Sequence, residues 1–171
     1  MVWVVGIDPG CEETAYAELI GGEIGRWGKV KNTTLLELIP LWQSAVLVFE
    51  GLQCYGMPVG ETTFQTAIWL GRFIQQACNA KIKWQLVKRT DVKRHLCGAK
   101  AKLKDKDVRQ ALIQKYGPPG TKQNPGNTYG ISNDVWSALG IADYGMTLLT
   151  ILPAESLAQS KKEHHPSHIK M

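Results

Sequence analysis

Two short apolar runs, residues 2–7 (VWVVGI) and 45–49 (AVLVF), each stop on an acid, Asp8 and Glu50. Each run is too short for a helix and too apolar to alternate, which is the pattern of a strand buried on both faces. Asp8-Pro9-Gly10 turns the chain after the first run. Residues 14–20 (TAYAELI) and 23–30 (EIGRWGKV) read as two more strands, joined by a tight turn at Gly21-Gly22 into an antiparallel meander with the first. Asn32, Thr33 and Thr34 offer N-cap chemistry ahead of Leu35, Leu36, Leu38 and Ile39, and Pro40 should end or kink that helix early. A strand, a helical crossover and a second apolar strand imply a parallel pair connected in the right-handed sense. Asp8 and Glu50 would then emerge side by side at the carboxyl edge, where open α/β sheets place their ligands.

The rest of the chain continues the alternation of strand and helix. Thr62 or Thr63 caps a long helix running to Ala80, residues 81–87 (KIKWQLV) alternate as a strand, and Thr90 or Asp91 opens a short helix closed by Gly98. Residues 105–116 form another helix, residues 118–130 (PPGTKQNPGNTYG) are turn chemistry throughout, and Ser132 or Asn133 caps a last helix to Leu149 with Asp134 in its first turn. With 171 residues, 44% of them hydrophobic, the chain can bury one core. Residues 1–152 are expected to form that domain, and the polar residues 153–171, which hold His164, His165 and His168, a flexible tail. No apolar run approaches the ~20 residues of a membrane span. The start MVWVVGID has neither a basic segment nor a small-residue cleavage site, which points to the cytoplasm. Cys11, Cys54, Cys78 and Cys97 fit neither a metal-binding spacing nor a dense disulfide framework.

The net charge of +5 is unevenly spread. Residues 81–109 hold eleven lysines and arginines against three aspartates, a net +8, so the remainder carries −3. Such a segment is either the footprint of a polyanion binder or a solvated helical face. Asp8, Glu50 and Asp134 would meet at one edge of the fold, where three carboxylates in apolar surroundings disfavour one another's ionisation and call for a cation. Hard oxygen ligands suit Mg²⁺ or Mn²⁺ better than Zn²⁺, and a pair of such ions suits in-line phosphoryl displacement.

The sequence GIDPG followed by TAYA, then VFEG, then TDVKRHLCGAKAKLKDKDVRQAL, then SNDVWSALGIADY resembles the RuvC-type Holliday junction resolvases of the ribonuclease H-like superfamily. The likeness spans residues 3–149. It implies an α/β fold with a five-stranded mixed sheet, three antiparallel strands and then parallel ones, flanked by helices. It also implies a structure-selective endonuclease that cuts four-way DNA junctions as a homodimer, using two Mg²⁺ ions per site with Mn²⁺ able to substitute. By position, Asp8, Glu50 and Asp134 match the family's metal-binding acids. Ser137 stands where a further acid, or in some relatives a histidine, is usual, and its hydroxyl would at best coordinate a metal weakly or hold a metal-bound water. One ion would lie between Asp8 and Asp134 and the other between Asp8 and Glu50. Lys93 matches one functional lysine, and Lys104 or Lys106 the second, to hold the scissile phosphate.

The resemblance further implies that Lys88, Arg89, Lys93, Arg94, Lys100, Lys102, Lys104 and Lys106 line the DNA path, with Tyr55 stacking on a base at the branch point. The helix of residues 63–80, with Ile68, Trp69, Gly71 and Phe73, is either the dimer interface or a plain core helix. The departure at Ser137 leaves open a branched-DNA binding protein that has lost cleavage. A related nuclease acting on RNA or flap DNA is the other alternative. Asp143, nine residues after Asp134, falls on the opposite helix face and does not replace the missing acid.

Overall fold

The structure, a computed structural model, describes residues 1–53, 56, 58–99 and 103–151. Tyr55, Lys100, Lys102, Cys54 and the expected tail lie outside the described residues. Five strands form one sheet: β1 (Trp3–Asp8), β2 (Glu13–Ile20), β3 (Glu23–Lys31), β4 (Val46–Gly51) and β5 (Lys83–Lys88), in the order β3-β2-β1-β4-β5. β1, β2 and β3 pair antiparallel, whereas β4 and β5 add in parallel beside β1. This is the five-stranded mixed sheet that the family resemblance implies. The β2–β3 turn needs two positive φ angles, which Gly21 at 61° and Gly22 at 92° supply without a Cβ penalty.

Helices cover both faces. On one side α1 (Asn32–Leu38), a 3-10 turn (Ile39–Trp42) and α2 (Glu61–Asn79) pack on Val5, Ile7, Leu47 and Phe49. On the other, α3 (Arg89–Cys97), α4 (Asp105–Tyr116) and α5 (Asp134–Ile151) pack on Val4, Ala17, Leu19 and Val48. α5 lies unusually close to the sheet. A Cβ on Gly6 would stand 2.1 Å from the Ala138 carbonyl oxygen, and one on Gly145 would stand 2.7 Å from Val48 Cγ2. Among the described residues, no helix is long and apolar enough to cross a membrane.

Local details differ from the sequence expectations. Asn32 does not cap α1. Its side chain is buried, donating to the Gly10 carbonyl at 2.9 Å and accepting from Thr14 Oγ1 at 2.6 Å, which ties down the Asp8-Pro9-Gly10 turn. Neither Thr62 nor Thr63 caps α2, because the extended backbone of Gly60 takes that position and Glu61 opens the first turn, where a negative charge is favoured. α3 begins at Arg89 directly after β5, not at Thr90 or Asp91. Phe73 is fully buried, with Thr66, Leu70 and Ala77 on the same face of α2, while Phe64 and Ile68 face outward.

Candidate active site

The period of a strand decides which acids can meet. Val4, Gly6 and Asp8 alternate onto the α5 face of β1, and Val46, Val48 and Glu50 onto the same face of β4. The parallel register pairs Gly6 with Val48 and Ile7 with Phe49, so Asp8 and Glu50 are next in line. Glu50 is still within its strand, opposite Val87 of β5. Asp134 opens α5 directly above, and Ser137 follows on the same helix face. Together they line an open cleft of about 580 Å³ whose further walls include Arg89, Lys93, Asp105, Lys106, Arg109 and Trp136. The Arg109 guanidinium lies 5.5 Å from the centre of the Trp136 ring.

The acids disturb one another. Burial, the nearby Glu50 and Asp134 push the Asp8 carboxyl up to about 7, against the opposing pull of Arg89 and a hydrogen bond from Ser137. Burial also raises Glu50, partly offset by Arg89. Each flanking acid has a cation of its own. Arg89 Nη1 donates to Glu50 Oε1 at 3.2 Å, and Lys29 Nζ stands 2.8 Å from Asp134 Oδ2 and 3.8 Å from Glu13. Asp134 raises the Lys29 ammonium above its usual range by hydrogen bonding. The donor set of Asp8, Glu50, Asp134 and Ser137 is oxygen only and carries formal negative charge, which fits a hard divalent cation. Among the described residues no three acid, histidine or cysteine side chains form a ready-made ligand cluster, so the fit lies in donor type and a shared cleft.

The basic segment divides into groups with different surroundings. Arg89 and Lys93 lie within the cleft and Lys106 at its wall, while Lys104 sits exposed at the start of α4, its backbone N–H donating to Asp107 Oδ2 at 2.8 Å. Of the two candidates for the second lysine, Lys106 is among the residues lining the cleft and Lys104 is not. Lys88 and Arg94 are exposed, Arg94 lying 3.8 Å from Asp91. Three participants escape a reading of the sequence alone: Lys29, Asp105, and the bond between Arg89 and Glu50. Only the sheet register brings Lys29 into range, opposite Ala15, itself opposite Asp8.

Asp143 is buried on the far side of α5. There it accepts from Lys115 at 2.5 Å and from the Tyr116 hydroxyl, and it lies 3.0 Å from His95 Nε2. Burial pulls its carboxyl upward, but the Lys115, Tyr116 and His95 hydrogen bonds outweigh this and hold it below the ordinary range. One residue thus ties α3, α4 and α5 together, as its helical phase opposite Asp134 requires.

The sequence matches no family model and no curated protein. In structure the chain is similar to Thermus thermophilus RuvC, with a TM-score of 0.64 and 18% identity over 88% of this chain and 96% of that one. It is also similar to T. thermophilus RuvC in complex with Holliday junction substrate, at a TM-score of 0.68 and 14% identity over the same shares. The yeast mitochondrial Holliday junction resolvase Ydc2 superposes with a TM-score of 0.55 and 11% identity over 81% of this chain and 75% of that one. At 11–18% identity the shared property is architecture, and the three-strand meander continued by two parallel strands identifies it: the chain has the ribonuclease H-like fold of the RuvC-type Holliday junction resolvases.

Proposed function

We propose that this protein is a structure-selective endonuclease that cuts phosphodiester bonds in four-way DNA junctions with the help of divalent metal ions, residues 1–152 forming the nuclease domain. One observation carries the reading: β1, β4 and α5 deliver Asp8, Glu50 and Asp134 to a cleft whose other wall is Arg89, Lys93, Lys106 and Arg109. Acids that can hold cations thus stand beside cations that can hold phosphate. The fold it shares with two resolvases, one solved with a Holliday junction, supports the choice of substrate.

Asp8 with Asp134 would hold one ion and Asp8 with Glu50 the other, Mg²⁺ being the expected metal and Mn²⁺ a substitute. Bound there, such ions would supply an activated water and stabilise the leaving 3′ oxygen. Ser137 brings no charge, so its hydroxyl orients the Asp8 carboxylate. With its carboxyl raised to about 7, Asp8 is partly protonated at neutral pH, and positive charge in the cleft would favour the ionised form. Lys93 and Lys106 grip the scissile phosphate and offset the charge that develops on its oxygens. Lys88, Arg94, Lys100, Lys102 and Lys104 follow the flanking phosphates, and Tyr55 stacks on an unpaired base at the branch point.

Paired cuts need two sites related by a two-fold axis, hence a homodimer. The outward face of α2, where Phe64 is 60% and Ile68 56% exposed, suits its interface. A substrate panel of four-way junction, linear duplex, flap DNA and hairpin RNA tests the assignment. A preference for the junction of tenfold or less would count against it. Ser137 favours one second reading, a junction-binding protein that does not cut, which requires tight binding without product in either metal.

A further inference from the structure

Arg89 and Lys93 stand one turn apart on α3 and reach toward the same point. Arg89 Nη2 and Lys93 Nζ each lie 3.0 Å from one oxygen, Asp105 Oδ1. Arg89 keeps its other terminal nitrogen on Glu50, and Lys93 also donates to the Leu103 carbonyl at 3.3 Å. One carboxylate oxygen between an arginine fork and a lysine occupies the place that a phosphate oxygen takes in a phosphate-binding site.

The depth of the partners is uneven. The Asp105 side chain is 71% exposed, against 36% for Arg89 and 21% for Lys93. The anion therefore lies on the solvent side, over cations seated deeper in the cleft. A carboxylate so exposed returns to water at little cost, whereas Arg89 would keep only Glu50 and Lys93 only the Leu103 carbonyl.

We propose that Arg89 and Lys93 form a phosphate slot in the cleft and that the Asp105 carboxylate is its resident occupant, which a phosphodiester must displace to reach the acids. That the phosphate belongs to DNA rests on the function proposed above, but the slot and its occupant do not. The exchange trades one negative charge for another, so it leaves the local charge balance intact. It raises the threshold for any ligand that makes few other contacts. A substrate anchored by many phosphates displaces Asp105, and a stray phosphate does not.

The test compares Asp105→Asn with Asp91→Asn, which removes the same charge from the same basic segment but outside the cleft, beside Arg94. Affinity for a labelled four-way junction and for linear duplex is measured by fluorescence anisotropy without divalent metal. Asp105→Asn should tighten binding about fivefold more than Asp91→Asn and steepen the dependence of log K on log salt by about 1 to 2, as two cations become free for phosphate. Equal tightening by both variants would overturn the proposal. So would weaker binding together with a lower Tm, since both mark Asp105 as a mere tie between α3 and α4. Asp105→Ser, which keeps a residue suited to a helix start, must repeat the result.

A second arm titrates inorganic phosphate while following the Arg89 Nε–Hε resonance, identified by its loss in Arg89→Lys. The resonance should move at lower phosphate concentration in Asp105→Asn than in the wild type, and no movement in either would overturn the slot. If phosphate moves Arg89 but neither protein binds DNA, the slot stands and the nucleic-acid reading fails.

Discussion

Lys29 Nζ lies 2.8 Å from the Asp134 carboxylate, which joins a strand at the edge of the sheet to the first residue of the last helix. Lys29 faces Ala15, and Ala15 faces Asp8, so a small side chain between them leaves the lysine room to lean across the sheet toward α5. The ammonium therefore competes for the oxygens that would serve a divalent cation. Lys29→Met should raise Mn²⁺ affinity about threefold to tenfold while changing stability by less than about 1 kcal/mol, because both partners are solvent-accessible. Calorimetric titration and thermal unfolding check the two halves, and a loss of Mn²⁺ affinity would contradict this account.

Asp8 suffers burial and two like charges, so the metal-free site is less stable than an uncharged one. Asp8→Asn should raise metal-free stability by about 1 kcal/mol or more. Mg²⁺ at 100 times its Kd should stabilise the wild type by about 2.7 kcal/mol. The variant should lack most of that gain. Thermal unfolding with and without Mg²⁺ reads both effects, and an equal rise in the two proteins would remove Asp8 from the metal site.

Asp143 works in the opposite direction. Its carboxyl is held below the ordinary range when folded, so its contribution is present above the unfolded pKa of about 4 and is lost as pH falls through the folded value. Asp143→Asn should cost about 2 to 3 kcal/mol at pH 7, the worth of hydrogen bonds to a charged group. Below pH 4 the difference should shrink. Urea unfolding from pH 7 to pH 3 measures it, and a constant difference would mean that the ionised carboxylate is not what Lys115, Tyr116 and His95 hold.

Ile68 lies on the outward face of α2, away from Phe73 and Leu70. If the proposed homodimer forms through this face, Ile68→Glu should turn it into a monomer, as read by sedimentation velocity, and shift monomer stability by no more than about 0.5 kcal/mol. A dimer that survives the substitution would place the two-fold axis elsewhere.

Much of the fold was legible because period and length alone separate its elements. The runs ending on Asp8 and Glu50 are short, apolar and bounded by turns, so they read as neighbouring strands, and that pairing set two acids at one edge. Asp134 followed from the last helix. The partners of these acids were not legible. Lys29 depends on register across three strands, which no local pattern encodes. Arg89 looks like one charge in a basic run until β5 passes into α3 without a loop and turns it onto Glu50. The caps expected of Thr62, Thr63 and Asn32 failed for related reasons: Gly60 takes the cap of α2, and Asn32 is drawn inward to Gly10 and Thr14.

Cleavage of a labelled synthetic four-way junction, with linear duplex as control, tests the central claim most directly, using wild type and Asp8→Asn in Mg²⁺ and in Mn²⁺. The wild type should make paired symmetrical nicks in the junction and the variant none. Junction binding without nicks in either metal, or nicks that persist in Asp8→Asn, would contradict it.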